Sequence, residues 1–144
     1  CEKGLKNKLA CVLFQLPPNI HYNEAKLEEI MQLLHKDFKN VIEFRHESWW
    51  QEKVFDSLSA HNITFCSVNH PKLPTDLITN TNTAYVRLHG NPHMFYSNYE
   101  SEMLKELHRK IKKNKHLHEA FVYFNNTAST AGITNAQEFK AMNK

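Results

Sequence analysis

The stretch Val41–Trp50 reads VIEFRHESWW and has the pattern of a buried strand that ends in charge. Because side chains alternate along a strand, Glu43 and Arg45 share one face and apolar residues fill the other. Ser48, followed three residues later by Gln51, predicts a capping box and a helix that begins directly after the strand. A carboxylate and a guanidinium at this end of a strand stand where parallel α/β folds place their chemistry.

Four other apolar runs have the same character, being short and rich in β-branched and aromatic residues. The predicted strands are Ala10–Leu16, Val41–Arg45, Ile63–Val68, Ala84–His89 and Ala120–Asn125. Between most of them we predict helices: one capped by Asn23, one from Ser48 to about Asn62, one capped by Ser101 and a last one over Ala136–Met142. A long irregular loop is predicted over Asn69–Thr83. This alternation predicts an α/β fold of parallel β/α units, either an open doubly wound sheet or part of a (β/α) barrel.

On each predicted strand, the residues of one parity run from apolar to polar along the chain. The predicted inner-face sets are Cys11, Leu13 and Gln15; Val41, Glu43 and Arg45; Phe65, Ser67 and Asn69; Tyr85, Arg87 and His89; and Phe121, Tyr123 and Asn125. In a barrel this face is the lumen, and its polar ends form the floor of the active site.

Two residues of this floor are candidate catalytic groups. Glu43 is a candidate general acid or base, because partial burial can move a carboxyl pKa towards neutrality. His89 is a second candidate acid–base group. The alternative for Glu43 is an internal ion pair with Arg45 or Arg87.

The remaining candidates would bind substrate. Arg45 and Arg87 form a candidate anion clamp, since guanidinium groups match carboxylate and phosphate oxygens. The alternative is that both arginines only neutralise Glu43. Gln15, Asn125 and Asn126 suit the recognition of hydroxyl or amide groups, and the alternative for the two asparagines is loop anchoring.

Composition narrows the class of protein. The 144 residues, 41% of them hydrophobic, predict one globular domain over residues 1–144, and a net charge of +3 permits anionic partners. We take the three cysteines as reduced thiols of a cytoplasmic protein, and no membrane segment is predicted. The basic run Arg109–Lys115 is interpreted as a helix terminus, so nucleic acid is not favoured. No metal-ligand spacing and no cofactor motif occurs.

Four motifs occur in a specific order. They are FQLPP at Phe14–Pro18, EFRHESWW at Glu43–Trp50, YVRLHG at Tyr85–Gly90 and VYFNN at Val122–Asn126. Together they resemble the YecE-like family, a domain family of unknown function, and the resemblance spans nearly the whole chain. It implies a TIM-barrel-like fold of which this chain is the C-terminal part, about five of eight βα units. Asn69 departs from the family, which often has Asp at this position.

Two functional hypotheses follow. The first is an enzyme, with hydrolysis favoured, that acts on a small polar or anionic substrate such as a phosphorylated or sugar-like metabolite. The second is a non-catalytic ligand-binding or scaffold protein. The chain opens on Cys1 and five units cannot close a barrel, so we also expect either a piece of a longer protein or a homo-oligomer.

Overall fold

The computed structural model describes residues 2–5 and 8–143. The strands are β1 (Val12–Gln15), β2 (Asn40–Glu43), β3 (Ile63–Asn69), β4 (Thr83–Leu88) and β5 (Glu119–Phe124). The helices are α1 (Glu2–Leu5), α2 (Glu24–Leu33), α3 (Glu52–Ala60), α4 (Ser101–Lys113) and α5 (Ala131–Ala141). All five predicted strands are present, with ends shifted by a few residues.

The strands form one parallel sheet in the order β1-β2-β3-β4-β5. The sheet is curled, which brings Lys39, just before β2, into an ion pair with Glu119 at the start of β5 although two strands separate them. The result is a half-barrel of parallel β/α units. This confirms the predicted partial TIM-barrel-like fold and decides between the two architectures that the sequence left open.

Apolar side chains pack on both faces of the sheet. On the outer face, Ile42 and Phe44 pack with residues of α2 and α3, and Val86 and Leu88 pack with residues of α4 and α5. The inner face has a cluster of its own, which contains Val41, Cys66, Val68 and Tyr85. The carboxyl ends of the strands lie above this inner cluster.

The predicted parity of β3 is wrong. Phe65 pairs with Ile42 and packs in the outer core, whereas Cys66 pairs with Tyr85 and lies on the inner face. Ser67 is also on the outer side, where its hydroxyl bonds the backbone of Ile78. Residues paired across parallel strands share a face, so the register of β3 fixes its orientation, and the apolar sequence of β3 alone does not reveal it.

Two helix starts differ from the prediction. Ser48 does not cap α3, because its Oγ accepts a hydrogen bond from the Tyr22 N–H and residues 47–49 form a 3-10 turn. The last helix begins at Ala131 rather than Ala136. Gly132 lies inside this helix, where a Cβ atom would come 3.2 Å from the Asn126 carbonyl oxygen. Gly132 therefore permits helix α5 to approach the Asn126 backbone closely, and it does not end the helix.

The other helix predictions are confirmed in part. The Asn23 side chain caps α2 by accepting from the Lys26 N–H, as predicted. Helix α4 begins at Ser101, but the hydroxyl of Ser101 bonds Glu138 instead of capping the helix. Residues 70–82 form the predicted loop. Among the described residues, no helix has the length and apolar character needed to cross a membrane.

Candidate functional site

Glu43, the last residue of β2, is the centre of a charged cluster at the carboxyl ends of the strands. Glu43 is fully buried, and two guanidinium groups and one imidazole surround its carboxylate. Arg45 Nη1 lies 2.7 Å from Oε1, His89 Nε2 lies 3.3 Å from Oε1, and Arg87 Nη1 lies 2.5 Å from Oε2. The structure thus brings together four of the seven predicted site residues around one carboxylate.

Cys66 completes the surroundings of Glu43. Its Sγ lies 3.9 Å from Glu43 Oε2, and the small side chain occupies the inner face of β3, between β2 and β4. An ionised carboxylate has about four lone-pair positions, and Glu43 has four neighbouring donors. Its capacity to accept hydrogen bonds is therefore used within the protein.

The contacts around Glu43 also fix its charge. Burial alone would raise the pKa of this carboxyl group, but hydrogen bonds from His89 and Arg87, together with the positive charge of Arg87, lower the pKa to about 2. Glu43 is consequently an anion at any physiological pH.

The two arginines have donors to spare. In the part of the chain that the structure describes, only Nη1 of each guanidinium contacts a protein acceptor: Arg45 Nη1 reaches Glu43 and His89, and Arg87 Nη1 reaches Glu43 and Gln15, the latter at 3.0 Å. Their side chains are 14% and 17% exposed. Two guanidinium charges face one carboxylate, so the cluster has an excess positive charge and accessible N–H groups.

His89 is buried beside this ion cluster. Its Nε2 lies 3.3 Å from Glu43 Oε1 and 3.1 Å from Arg45 Nη1, and its Nδ1 is buried without a partner among the described residues. A guanidinium nitrogen can only donate and an ionised carboxylate can only accept, so Nε2 serves one of these two neighbours at a time. When Nε2 carries the proton, it donates to Glu43, and Glu43 therefore favours that tautomer.

His70, in the loop after β3, is a further neighbour of His89. The two rings lie edge to face with their centroids 6.0 Å apart. Burial, followed by the positive charge of Arg45, lowers the pKa of His70. His70 therefore adds a mainly neutral ring to this side of the cluster.

Tyr99 supports the backbone on which His89 stands. Its buried hydroxyl accepts from the Gly90 N–H at 2.7 Å and donates to Asn69 Oδ1 at 2.9 Å. Burial raises the pKa of Tyr99 to about 12, although the Gly90 hydrogen bond opposes the shift. The backbone of His89 is tied in turn to Asn69, whose carbonyl accepts its N–H at 2.9 Å. An Asp carboxylate could accept from Tyr99 as Asn69 does, so the departure from the family pattern keeps this contact.

The two predicted asparagines lie apart from these contacts. Asn126 is fully buried, and its Nδ2 donates to the Ser97 carbonyl and to Asn135 Oδ1. Through these hydrogen bonds, Asn126 anchors the loop that contains Ser97 to helix α5. Asn125 follows β5, its N–H donates to the Leu88 carbonyl, and its Oδ1 is buried with no partner among the described residues.

Three residues of this region were not among the predicted site residues. Cys66 was assigned to the outer face through the wrong parity of β3, and its pairing with Tyr85 is the information that would have corrected this. His70 and Tyr99 lie in or beside loops, where sequence periodicity gives no signal. A histidine directly after a strand end is the one available hint for His70.

Other candidates from the sequence have ordinary structural surroundings. No group of three or more His, Cys, Asp or Glu residues within 2–5 and 8–143 is arranged to hold a metal ion. In the basic run, Arg109 and Lys110 pair with Glu102 and Glu106 of the same helix. Cys66 is buried, Cys11 is half-buried, and both are free thiols, whereas Cys1 lies outside the described residues.

The fold and the strand-end cluster define a class: a parallel β/α half-barrel in which one buried carboxylate holds two arginines and a histidine. The chain belongs to the family described as "Protein of unknown function DUF72", whose model matches residues 2–144. This confirms the resemblance carried by the four motifs. No curated protein matches the sequence.

Solved structures of the same family have the same fold. A DUF72 family protein from Thermotoga maritima MSB8 is 27% identical, with a TM-score of 0.85 over 98% of this chain and 62% of that one. Two structures of a DUF72 family protein from Enterococcus faecalis V583 are 20% and 21% identical, each with a TM-score of 0.79 over 93% of this chain. They are matched over 58% and 61% of their own length, so this chain spans about three fifths of each solved relative.

Proposed function

We propose that the carboxyl ends of the strands bind a small anionic metabolite that carries a phosphate or carboxylate group. The observation that supports this most directly is the use of Nη1 alone in the contacts of Arg45 and Arg87 with the protein. Glu43 fixes both guanidinium groups from one side, and their remaining N–H donors are left for a ligand.

Charge and rigidity both favour such a ligand. A fully buried carboxylate that keeps its charge is a fixed counter-ion, so neither arginine has to be ordered when the anion arrives. Guanidinium groups bind phosphate and carboxylate oxygens through paired N–H donors. Gln15, which accepts from Arg87 Nη1, limits the rotation of that side chain further.

A second candidate function is catalysis on the bound anion. It is favoured by the contact between His89 Nε2 and Glu43 Oε1, since a carboxylate that fixes one imidazole nitrogen leaves the other to receive a proton. In this proposal His89 is the proton-transfer group, as the sequence predicted, and Glu43 is the group that orients it. Hydrolysis of a small phosphorylated or sugar-like substrate is the reaction class that we favour.

Calorimetric titration with inorganic phosphate tests the binding proposal. Arg45→Lys and Arg87→Lys keep the positive charge but lose the paired donors, so we expect each to weaken binding about tenfold. Arg109→Lys is the matched control, because that arginine is 54% exposed on helix α4. The proposal is overturned if wild type does not bind phosphate, or if all three variants bind it as wild type does.

We also propose that further βα units complete the inner face, either from a longer chain or from a second copy. The edge strand β5 supports this, since Tyr123, which shares the inner face with Arg87, is 44% exposed. Light scattering after size exclusion of this chain tests the second-copy alternative. A stable monomer would exclude it.

A further inference from the structure

Phe95 has a backbone conformation that phenylalanine seldom adopts. Its φ is 69°, in the left-handed region that is unfavourable for a bulky side chain. Two hydrogen bonds hold it there: its N–H donates to the His89 carbonyl at 2.6 Å, and its carbonyl accepts from the Ala128 N–H at 3.2 Å. Gly90 permits the arrangement, because a Cβ atom at that position would lie 2.8 Å from the Phe95 nitrogen.

Core packing does not offset this strain. The Phe95 side chain is 41% exposed and belongs to none of the three apolar clusters. The loop around it is nevertheless ordered by its own hydrogen bonds, in which His93 N–H donates to Ser97 Oγ at 2.8 Å and Ser97 N–H donates to the His93 carbonyl at 2.9 Å. Strained residues that the surroundings hold in place are concentrated at ligand sites.

Phe95 is directly connected to the charged cluster. Its N–H is bonded to the backbone of His89, and His89 Nε2 lies 3.1 Å from Arg45 Nη1. The backbone that carries this exposed ring is thus bonded to the backbone of His89, whose side chain contacts the proposed anion clamp. Such a ring can pack against a flat or apolar part of a ligand, which an inorganic anion does not have.

We infer that Phe95 is a specificity-determining residue of this site and that it selects anions that carry a ring, such as an aryl or sugar phosphate. This inference rests on the proposed function, because the anionic group of the same ligand is held by Arg45 and Arg87. The ring of the ligand packs on Phe95 while the arginines bind the phosphate oxygens.

Phenyl phosphate and inorganic phosphate are the two probes, titrated into the full chain at one ionic strength. Phe95→Asn removes the ring and keeps a residue that tolerates positive φ, whereas Phe95→Tyr keeps the ring. We expect Phe95→Asn to weaken phenyl phosphate binding about fivefold and to leave phosphate binding unchanged. Phe95→Tyr should bind both probes as wild type does.

The outcomes separate this inference from the proposed function. If Phe95→Asn binds phenyl phosphate as tightly as wild type, or loses affinity for both probes equally, Phe95 does not select a ring and the inference is wrong. If wild-type protein binds no inorganic phosphate, the proposed anion site itself fails, and the inference fails with it.

Discussion

Arg87 Nη1 on β4 lies 2.5 Å from Glu43 Oε2 on β2, although β3 runs between these two strands. The ion pair spans the inner face because β3 presents the small side chain of Cys66 beneath it. A charged cluster is thereby built from three neighbouring strands. Its geometry depends on the size of Cys66 as well as on the charges.

The first prediction concerns the size of the side chain at position 66. Cys66→Leu places a larger side chain between Glu43 and Arg87, so we expect a loss of about 1–3 kcal/mol in the free energy of unfolding, together with weaker phosphate binding. Cys66→Ala is the control, because it removes the same thiol without adding volume. Urea denaturation and phosphate titration of both variants provide the measurement. Equal phosphate binding by the two variants would contradict the role of Cys66 as a spacer.

The second prediction concerns the charge of Glu43. Glu43→Gln leaves the two half-buried arginines without their counter-ion, and removing one partner of a buried ion pair typically costs about 3–5 kcal/mol. We expect a loss of this size in urea denaturation. Glu106→Gln is the control, since Glu106 pairs with Lys110 on the exposed surface of α4, and its stability should equal that of wild type. Similar stabilities for the two variants would show that Glu43 does not organise the cluster.

The third prediction concerns the stability of the protein at acidic pH. The pKa of Glu43 is lowered from 4.5 to about 2, so the stabilisation from its ionised form is complete above pH 4.5 and is lost as the pH falls towards 2. The whole difference is on the order of 3 kcal/mol. We therefore expect the stability gap between wild type and Glu43→Gln to narrow over this range. A gap that is constant from neutral pH to pH 2 would contradict the lowered pKa.

The sequence predicted the strand ends better than it predicted the contacts between them. Glu43, Arg45, Arg87 and His89 were placed on one face because their strands change from apolar to charged. β3 is largely apolar on both faces, and the hydroxyl of Ser67 bonds the following loop instead of the inner face. The alternation of side chains therefore carried no information there, and only the register with β2 and β4 orients the strand.

The role of each site residue depends on distances that a linear pattern does not contain. In the sequence, Glu43 has the position expected of a catalytic acid at the end of a strand. In the fold, however, three hydrogen-bond donors surround its carboxylate. Asn126 follows the last strand as a binding residue would, yet Asn135 and the Ser97 backbone use its amide group. In both cases the partners come from distant parts of the chain.

The last prediction concerns Tyr99, which we expect to position His89 through the backbone. Tyr99→Phe removes the hydroxyl that accepts from the Gly90 N–H and donates to Asn69, and it leaves the buried Gly90 N–H and the half-buried Asn69 Oδ1 without that partner. A loss of about 1–3 kcal/mol in the free energy of unfolding should follow. Tyr96→Phe is the matched control, because Tyr96 is 73% exposed in the same loop.

Stability alone does not distinguish a positioning role for Tyr99 from general support of the fold. We therefore also expect the imidazole NMR signals of His89 to shift in Tyr99→Phe and to stay in place in Tyr96→Phe, because only the first variant frees the backbone between Asn69 and Gly90. If Tyr99→Phe loses stability while the His89 signals are unchanged, Tyr99 supports the loop without positioning the histidine. That result would leave Glu43, through its contact with Nε2, as the residue that holds the His89 ring.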